Sequence, residues 1–233
     1  PLQLSNAARE GVTLVELCGG LCAALEAMLR NGIAVKRYIY VDNMVAAQRV
    51  ALHRVAELSA RFPLLLTKEA WVDMMTALPM DVTACTTELL IKAGARDRRQ
   101  WVIITGPPCQ DFSPAGSNRG REGERAKVLQ ACVQVIGSLQ QLQTLRPPLF
   151  IVENAAMQHN FRSPRVREVD FPAVCGQLGD PVLMDAALAG SYAHRLRNFW
   201  QNWSDPADVQ KHLSQIRRPE GIKVEDILTP GRY

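Results

Sequence analysis

The sequence predicts an α/β domain in which a mostly parallel sheet is flanked by helices. Short apolar, β-prone runs alternate with longer segments that carry apolar residues at helical spacing. Glycine-rich or polar turns follow several of these runs directly, as at the carboxyl edge of an open α/β sheet. The 233 residues suit one large domain, or a domain with a small appendage. With 47% hydrophobic and 21% charged residues, the composition is that of a globular core rather than a disordered chain.

The first predicted strand comprises residues 12–17, and a turn with two glycines follows at residues 18–20. Apolar spacing then predicts a helix over residues 21–30, which Asn31-Gly32 would end. Glycines at such a turn let a ligand approach the backbone, and a helix N-terminus favours a negative group. Taken alone, a glycine turn between a strand and a helix more often only connects the two elements.

An acidic residue strengthens the prediction of a ligand site at that turn. The second predicted strand, residues 37–41, ends at Asp42, about 20 residues after the glycines. A carboxylate at this place can accept hydrogen bonds from ribose hydroxyls. Turn and acid together predict a nucleoside-cofactor site in a Rossmann-like domain.

The next segment offers two interpretations for a second acidic residue. Residues 44–61 predict an amphipathic helix, and residues 62–78 predict a further helix around Trp71. Asp81 then stands at a third predicted strand end, where its carboxylate could accept from an adenine amino group. A helix cap for residues 83–92 is an equally good interpretation from spacing alone.

Cys109 is the candidate nucleophile. The apolar strand predicted at residues 101–105 runs directly into Gly106-Pro107-Pro108-Cys109. Because the two prolines restrict the backbone, the thiol is expected on a stiff loop at the carboxyl edge of the sheet. A lone cysteine is usually a small buried hydrophobe, but the Pro-Pro-Cys-Gln context favours the nucleophile.

A polar, glycine-rich segment follows the cysteine at residues 111–125. A loop of this length beside a nucleophile is usually a functional lid. Arg119 and Arg121 could meet phosphates when it closes.

The second half of the chain presents further polar residues at predicted strand ends. A helix is predicted over residues 126–146, and the apolar strand at residues 149–152 delivers Glu153-Asn154. A further strand is predicted at residues 181–185. In the run 192–200, two arginines alternate with apolar neighbours, so a strand would point both to one face. The alternative for that run is a solvated edge strand.

Composition limits the other classes of function. The six cysteines are scattered without metal-ligand spacing, which indicates a reducing compartment and no zinc site. A net charge of +4 permits a polyanionic partner without requiring one. No apolar run approaches the roughly 20 residues that cross a bilayer, so we expect a soluble protein with no membrane partner.

Three short motifs together resemble those of the cytosine-C5 DNA methyltransferases. Residues 106–110 resemble the nucleophile motif of that family, residues 152–154 its Glu-Asn motif and residues 195–197 its Arg-x-Arg motif. The run 181–200 is most similar to the eukaryotic de novo branch and its plant relatives. The resemblance covers about residues 11 to 204 and implies the Rossmann-like fold of the S-adenosylmethionine-dependent methyltransferases. The catalytic residues it implies are Cys109, Glu153, Arg197, Arg195, Asn154 and Pro108, and the cofactor-binding residues are Leu17, Cys18, Gly19, Gly20, Cys22, Asp42, Asn43, Asp81, Val82, Gly106 and Pro108.

The sequence departs from the family in two places. The aromatic and the acidic or small polar residue that usually precede the first glycine are replaced by Leu17 and Cys18. The target-recognition region and two closing motifs of the family are not visible before Tyr233. We therefore expect residues 1–204 to form the cofactor-binding and catalytic domain, and residues 205–233 to connect it toward an absent target-recognition region.

The resemblance also implies a mechanism and partners. Cys109 would add to C6 of a cytosine flipped out of duplex DNA, while Glu153 contacts N3 and the amino group and Arg197 holds O2. Asn154 and Arg195 would support this arrangement. S-adenosylmethionine would give its methyl group to C5, and the loop after Cys109 would close over the base.

Other hypotheses remain open at this point. One is methylation of cytosine in transfer RNA, which uses the same motifs, and another is a catalytically silent homologue that regulates a partner. A homo- or hetero-oligomer with a methyltransferase-like partner is compatible with the resemblance. The expected location is the nucleus, or the cytoplasm if the protein is prokaryotic.

Overall fold

The computed structural model describes residues 10–96, 99–191 and 193–216. Its strands are β1 (Val12–Leu17), β2 (Val35–Val41), β3 (Gln100–Thr105), β4 (Leu149–Ala155), β5 (Val182–Asp185) and β6 (Leu196–Gln201). They form a six-stranded sheet in the order β2-β1-β3-β4-β6-β5. Strands β1, β2, β3 and β4 pair in parallel, whereas β6 is antiparallel to both of its neighbours. The predicted α/β fold with a mostly parallel sheet is confirmed.

Helices cover both faces of this sheet. They are α1 (Ala23–Arg30), α2 (Val45–Arg61), α3 (Thr87–Lys92), α4 (Ala126–Leu142), α5 (Phe171–Leu178) and α6 (Pro206–Gln215). One apolar cluster packs the sheet against α4 and α5, and a second packs it against α1 and α2. Every residue of β1 is buried, as expected of a parallel strand that is covered on both faces.

The helix predicted over residues 62–78 is wrong. That segment contains one short 3₁₀ turn, Lys68–Trp71, and otherwise consists of turns. Its backbone carbonyls instead accept hydrogen bonds from the outer strand β2. Leu65 O accepts from Val35 N at 2.8 Å, and Met74 O accepts from Tyr40 N at 2.9 Å. Covering the free edge of β2 determines the path of this segment, and a regular helix could not offer those carbonyls.

The strand predicted to end at Asp81 is also wrong, and Asp81 is a cap, but of a 3₁₀ turn and not of the helix predicted over residues 83–92. Asp81 precedes a 3₁₀ turn, Val82–Ala84, and its Oδ1 accepts from Thr83 N at 2.9 Å. The helix expected over residues 83–92 begins only at α3, where the Thr86 side chain caps Leu89 N. Two short capped elements therefore replace one longer helix.

The carboxyl-terminal part differs from the prediction at two points. Strand β6 lies between β4 and β5, so the solvated edge strand expected as an alternative at residues 192–200 is wrong. Residues 206–215 form α6, whose N-cap Asp205 accepts from Ala207 N at 2.7 Å. The predicted connection beyond residue 216 and Tyr192 lie outside the described residues. None of the helices in the described ranges is long and apolar enough to traverse a bilayer.

Candidate active site

The glycine turn after β1 is held by Tyr40 of β2 and by Asp42, which directly follows that strand. Gly20 N donates to Asp42 Oδ2 at 3.0 Å, and Gly20 O accepts from the Tyr40 hydroxyl at 3.0 Å. A Cβ on Gly19 would lie 2.6 Å from the Tyr40 ring, so only glycine fits there. Gly20 itself has a φ of 50° and open space around the position of a Cβ. The turn thus exposes bare backbone at the carboxyl edge of β1.

A cavity of about 260 Å³ lies at this edge, beside the turn. Seven of the residues predicted to bind a cofactor line it, and Asp42 and Asp81 are the carboxylates among them. The side chains of two other predicted residues, Leu17 and Cys22, are fully buried in the core. The seven are Cys18, Asp42, Asn43, Asp81, Val82, Gly106 and Pro108.

The loop with Cys109 begins at the same cavity and is fixed from two sides. Cys109 O accepts from Phe112 N at 3.0 Å and from Ser113 N at 2.8 Å, which closes a tight turn around the residue. The buried Asn154 of β4 donates to Pro107 O at 3.2 Å. Cys109 is half-buried and packs at the border of the core. The predicted nucleophile is therefore held on a rigid loop without being sealed inside.

Glu153 lies beside the start of this loop and faces Arg197. Its Oε2 is 3.4 Å from the position that a Cβ on Gly106 would take. Its Oε1 is 3.0 Å from Arg197 Nε, and the two side chains are 25% and 18% exposed. This pair connects neighbouring strands β4 and β6. Arg197 Nε, although buried, has no acceptor at hydrogen-bond angles, so its contact with Glu153 is an ion pair by distance.

Burial controls the titration of Glu153. Desolvation raises the pKa of this carboxyl, and the positive charges of Arg197 and Arg195 lower it by less. The net effect is a raised pKa, which favours a carboxyl group that can hold and release a proton.

Asp185 at the end of β5 orients the chain that leads to Arg195. Its Oδ1 accepts from Arg195 N at 2.8 Å, and its Oδ2 lies 2.8 Å from His194 Nδ1. The hydrogen bond with His194, followed by those of the backbone, lowers the pKa of Asp185 to about 2. Sequence spacing gave no sign of this role, because Asp185 was predicted only as a strand residue.

The two arginines and the loop after Cys109 border one cavity of about 390 Å³. Ser113 and Pro114 line it from the loop, and Arg195 and Arg197 line it from the opposite side. His159 completes the polar part of the wall. The Arg-x-Arg motif and the loop after Cys109 thus meet at one cavity, although Cys109 and Glu153 are not among the residues that line it.

The polar segment after Cys109 is tied down at both ends. Asp111 is 4% exposed, and its Oδ2 accepts from Arg125 N at 2.9 Å and Ala126 N at 3.1 Å. Its Oδ1 accepts from the Ser117 hydroxyl, and its backbone O accepts from Gly120 N at 2.9 Å. Closure of the whole segment as a single lid would break these bonds.

Sequence reasoning missed a buried carboxylate under the glycine turn. Glu16, 4% exposed, accepts from the Tyr38 hydroxyl at 2.7 Å and from the Ala24 and Leu25 amides at 2.9 and 3.3 Å. The available signal was an acidic residue inside an otherwise apolar predicted strand. Among the described residues, no three potential metal ligands are grouped.

The fold has a counterpart among solved structures. Over 95% of this chain and 61% of the other, the structure resembles the Dnmt2 methyltransferase of S. pombe, with a TM-score of 0.56 and 16% sequence identity. The likeness is one of fold: a mostly parallel sheet with helices on both faces is common to the two structures.

The sequence comparisons identify a protein family that part of this chain resembles. Residues 88–169 match the family described as C-5 cytosine-specific DNA methylase. A stretch of 104 residues is 36% identical to the type II methyltransferase M.NmeDI of Neisseria meningitidis serogroup C. That alignment covers 40% of this chain and 23% of the Neisseria protein, so the chain matches under a quarter of that relative's length. Both findings support the cytosine-C5 methyltransferase family, and the family match includes Cys109 and Glu153.

Proposed function

We propose that this chain is the cofactor-binding and catalytic part of a DNA (cytosine-5)-methyltransferase. The proposal rests on one observation, which combines the family match with the distance between Glu153 and Arg197. The family match contains Cys109 and Glu153, and Arg197, which lies outside the matched residues, is 3.0 Å from Glu153. A segment independent of the match therefore supplies the partner that the chemistry needs.

The cavity beside the glycine turn suits S-adenosylmethionine. The carboxylates of Asp42 and Asp81 line this cavity and offer acceptors for the hydroxyl and amino groups of a nucleoside, whereas Gly19 and Gly20 of the turn are not among its lining residues. Pro108 lines the same cavity, so the loop with Cys109 adjoins the cofactor. When bound, S-adenosylmethionine supplies an electrophilic methyl group.

The residues of this chain make cytosine reactive toward that methyl group. The Cys109 thiolate adds to C6, and the displaced electron pair moves toward C5 and N3. Glu153 supports this addition by donating its proton at N3, and Arg197 holds O2 by its positive charge. After C5 is methylated, a base removes the C5 proton and the C6–S bond breaks, so that Cys109 leaves as the thiolate. N3 then returns its proton to Glu153, which restores the neutral base and the acid.

The position of these groups also requires that the base leave the stack. C6 of a cytosine in duplex DNA is covered by neighbouring bases, so the target nucleotide must turn outward to meet Cys109. The cavity between Ser113, Pro114 and the two arginines provides the receiving space.

Methyl transfer from labelled S-adenosylmethionine to duplex DNA tests the proposal. We expect transfer by the 233-residue chain, and its loss in Cys109→Ser, because a hydroxyl of ordinary pKa is a poor nucleophile toward C6. Cys175→Ser is the matched control, since Cys175 is also half-buried but lies on α5. Equal transfer by Cys109→Ser and the control would refute the proposed mechanism.

The same assay separates the other hypotheses. Transfer to transfer RNA in preference to DNA would favour an RNA methyltransferase, and transfer to neither would favour a silent homologue. The eukaryotic branch, the oligomeric partner and a nuclear location stay predictions. The Neisseria relative is bacterial and gives the eukaryotic branch no support.

A further inference from the structure

Two cysteine thiols lie together where β1 ends, and the proposed transfer mechanism uses neither of them. Cys18 directly follows β1, and it is half-buried in the wall of the cavity of about 260 Å³. Cys132 lies on α4 and is fully buried. It belongs to the apolar cluster between the sheet and α4, and Cys18 packs against that cluster.

The hydroxyl of Thr105 fixes the position of this pair. Thr105 is the last residue of β3, is 2% exposed, and pairs in register with Leu17, the residue before Cys18. Its Oγ1 donates to Cys132 Sγ at 3.3 Å and is also within hydrogen-bond reach of the Cys18 sulfur. The two sulfur atoms hydrogen-bond to each other as well. The pairing of β1 with β3 therefore brings both thiols to one hydroxyl.

Cys18 has a backbone conformation that few side chains adopt. Its φ of 54° lies in the left-handed region. The hydrogen bond of Gly19 N to Val41 O at 3.1 Å holds the chain directly after it. Residues in such sparsely populated conformations are concentrated at functional sites. The Cys18 sulfur is thus presented from a fixed backbone in the cavity wall.

The two thiols differ in how readily they lose a proton. The hydrogen bond with Cys132 lowers the pKa of Cys18, against burial and the negative charges of Asp42 and Asp81. The same hydrogen bond, together with burial, raises the pKa of Cys132 well above its usual range. Burial also raises the pKa of the neighbouring Cys85 to about 11. Because the thiolate is the nucleophilic form of cysteine, Cys18 is the reactive sulfur of this pair, and Cys132 retains its proton.

We propose that Cys18 and Cys132 form a redox-active dithiol, which a hydroperoxide entering the cavity of about 260 Å³ converts to a disulfide. The inference goes beyond methyl transfer, because formation of the disulfide depends only on the fold and the two sulfur atoms. Its effect on donor binding rests on the proposed function. The cavity has room for a small hydroperoxide, since a water molecule occupies about 30 Å³ of the liquid.

The oxidation takes two steps. The Cys18 thiolate attacks the hydroperoxide, so an S–O bond forms, the O–O bond breaks, and the leaving oxygen takes up the proton that the thiol had lost. The Cys132 sulfur then attacks the sulfur of the Cys18 sulfenic acid. An S–S bond forms, the S–O bond breaks, and the hydroxyl group leaves with the Cys132 proton as water. The two thiols thereby lose two electrons, and the peroxide gains them.

The disulfide changes the wall of the cavity. It brings the two sulfur atoms to about 2.05 Å, which is shorter than their hydrogen bond. Because Cys132 is enclosed in the core, we expect Cys18 to move toward α4. Val128 lines the same cavity from α4, one helical turn before Cys132. The distance between the end of β1 and α4 therefore sets the width of the cavity, and oxidation should weaken donor binding.

Mass spectrometry of the oxidised 233-residue chain tests the inference. The reduced chain is treated with equimolar hydrogen peroxide, the remaining thiols are alkylated, and the tryptic peptides are compared with and without dithiothreitol. We expect a reducible link between the peptides that carry Cys18 and Cys132. Cys22 shares a peptide with Cys18, because no Lys or Arg lies between them. Cys22→Ala is therefore the matched control that should keep the link, and Cys18→Ala should lose it.

Two further measurements identify the sulfur that reacts first. In Cys132→Ala, the sulfenic acid of Cys18 should persist and react with dimedone, whereas Cys85→Ala should form the disulfide as the wild type does. If Cys132→Ala does not fold, alkylation of the reduced wild type by iodoacetamide replaces it. That reaction should be at least about tenfold faster at Cys18 than at Cys85. The inference is overturned if the oxidised wild type contains no link between Cys18 and Cys132, or if Cys85 is alkylated as fast as Cys18.

Titration calorimetry with S-adenosylhomocysteine measures the effect on the cavity. Oxidation should raise the Kd of the wild type about tenfold, and dithiothreitol should reverse the change. In Cys18→Ala, the same treatment should change Kd by less than about twofold, which excludes an effect of oxidised Cys109. A disulfide that forms without a change in Kd would overturn its control of donor binding. Absence of binding by the reduced wild type would refute the proposed function, whereas the peptide link would still support the disulfide.

Discussion

Glu153 and Glu16 are acids of the sheet, the first partly buried and the second fully buried, and they have different partners. Glu153 faces the positive side chains of Arg197 and Arg195, both of which line the cavity of about 390 Å³. Glu16 faces only donors of its own fold and lies beneath the turn. The pKa of each is raised by burial, and in the proposed mechanism only Glu153 gives its proton to the base.

Substitution of Glu153 tests this distinction at the residue scale. Glu153→Gln should lower the rate of methyl transfer by about 10²-fold or more, because an amide can bind N3 but cannot donate a proton to it. Single-turnover transfer to DNA at saturating S-adenosylmethionine measures this rate. Because Glu153 acts as an acid, the wild-type rate should also fall as pH rises above its raised pKa, and that limb should vanish in the variant.

Glu168→Gln provides the control for this prediction. Glu168 also pairs with an arginine, Arg167 at 2.7 Å, but is exposed and lies outside both cavities. Its loss should leave the transfer rate unchanged within about twofold, as surface ion pairs contribute little. A Glu153→Gln rate close to that of Glu168→Gln would mean that Glu153 is not the acid.

At the scale of elements, two helices near the site, α1 and α4, are capped in the same way. Neither α1 nor α4 has a capping side chain at its own N-cap residue. Each takes a buried carboxylate from an earlier part of the chain, Glu16 for α1 and Asp111 for α4. Because both acids lie next to functional turns, the same bonds that start the helices also fix the turns.

Removal of Asp111 should therefore destabilise α4 and its preceding segment together. We expect Asp111→Ala to lower the free energy of unfolding by about 1–2 kcal/mol, the usual cost of a lost cap. Urea denaturation followed by circular dichroism measures the change. Ser117→Ala, which removes one tie of the segment and leaves the cap, should cost less than about 0.5 kcal/mol. Equal losses in the two variants would contradict a capping role.

Remote caps also show what the sequence could not predict. The strands around the site were predictable because their apolar runs are local, and so were the glycine turn and the Cys109 loop. The bonds of Glu16 to Ala24 and of Asp111 to Ala126 depend on packing, and no spacing rule places an N-cap eight or fifteen residues away. The helix predicted over residues 62–78 does not form for a similar reason, because the backbone of that segment makes hydrogen bonds to the free edge of β2. The meeting of Glu153 with Arg197 was predicted from the family resemblance, and the pairing of β4 with β6 brings it about.

At the scale of the whole molecule, the burial of Glu16 makes stability depend on pH. An acid whose pKa is 4.5 when exposed and about 7 when folded binds its proton more tightly in the folded state. Its contribution to stability is therefore fully present below about pH 4.5 and is lost as pH rises through about 7. The pKa difference corresponds to about 3 kcal/mol at most.

Glu16→Gln removes this dependence, because an amide does not titrate. Relative to the wild type, the variant should gain stability between pH 5 and pH 8, by up to about 3 kcal/mol. Urea denaturation of both proteins at the two pH values measures the change, and taking the difference cancels the other titrating groups they share. If the stability difference is the same at both pH values, Glu16 does not titrate in this range.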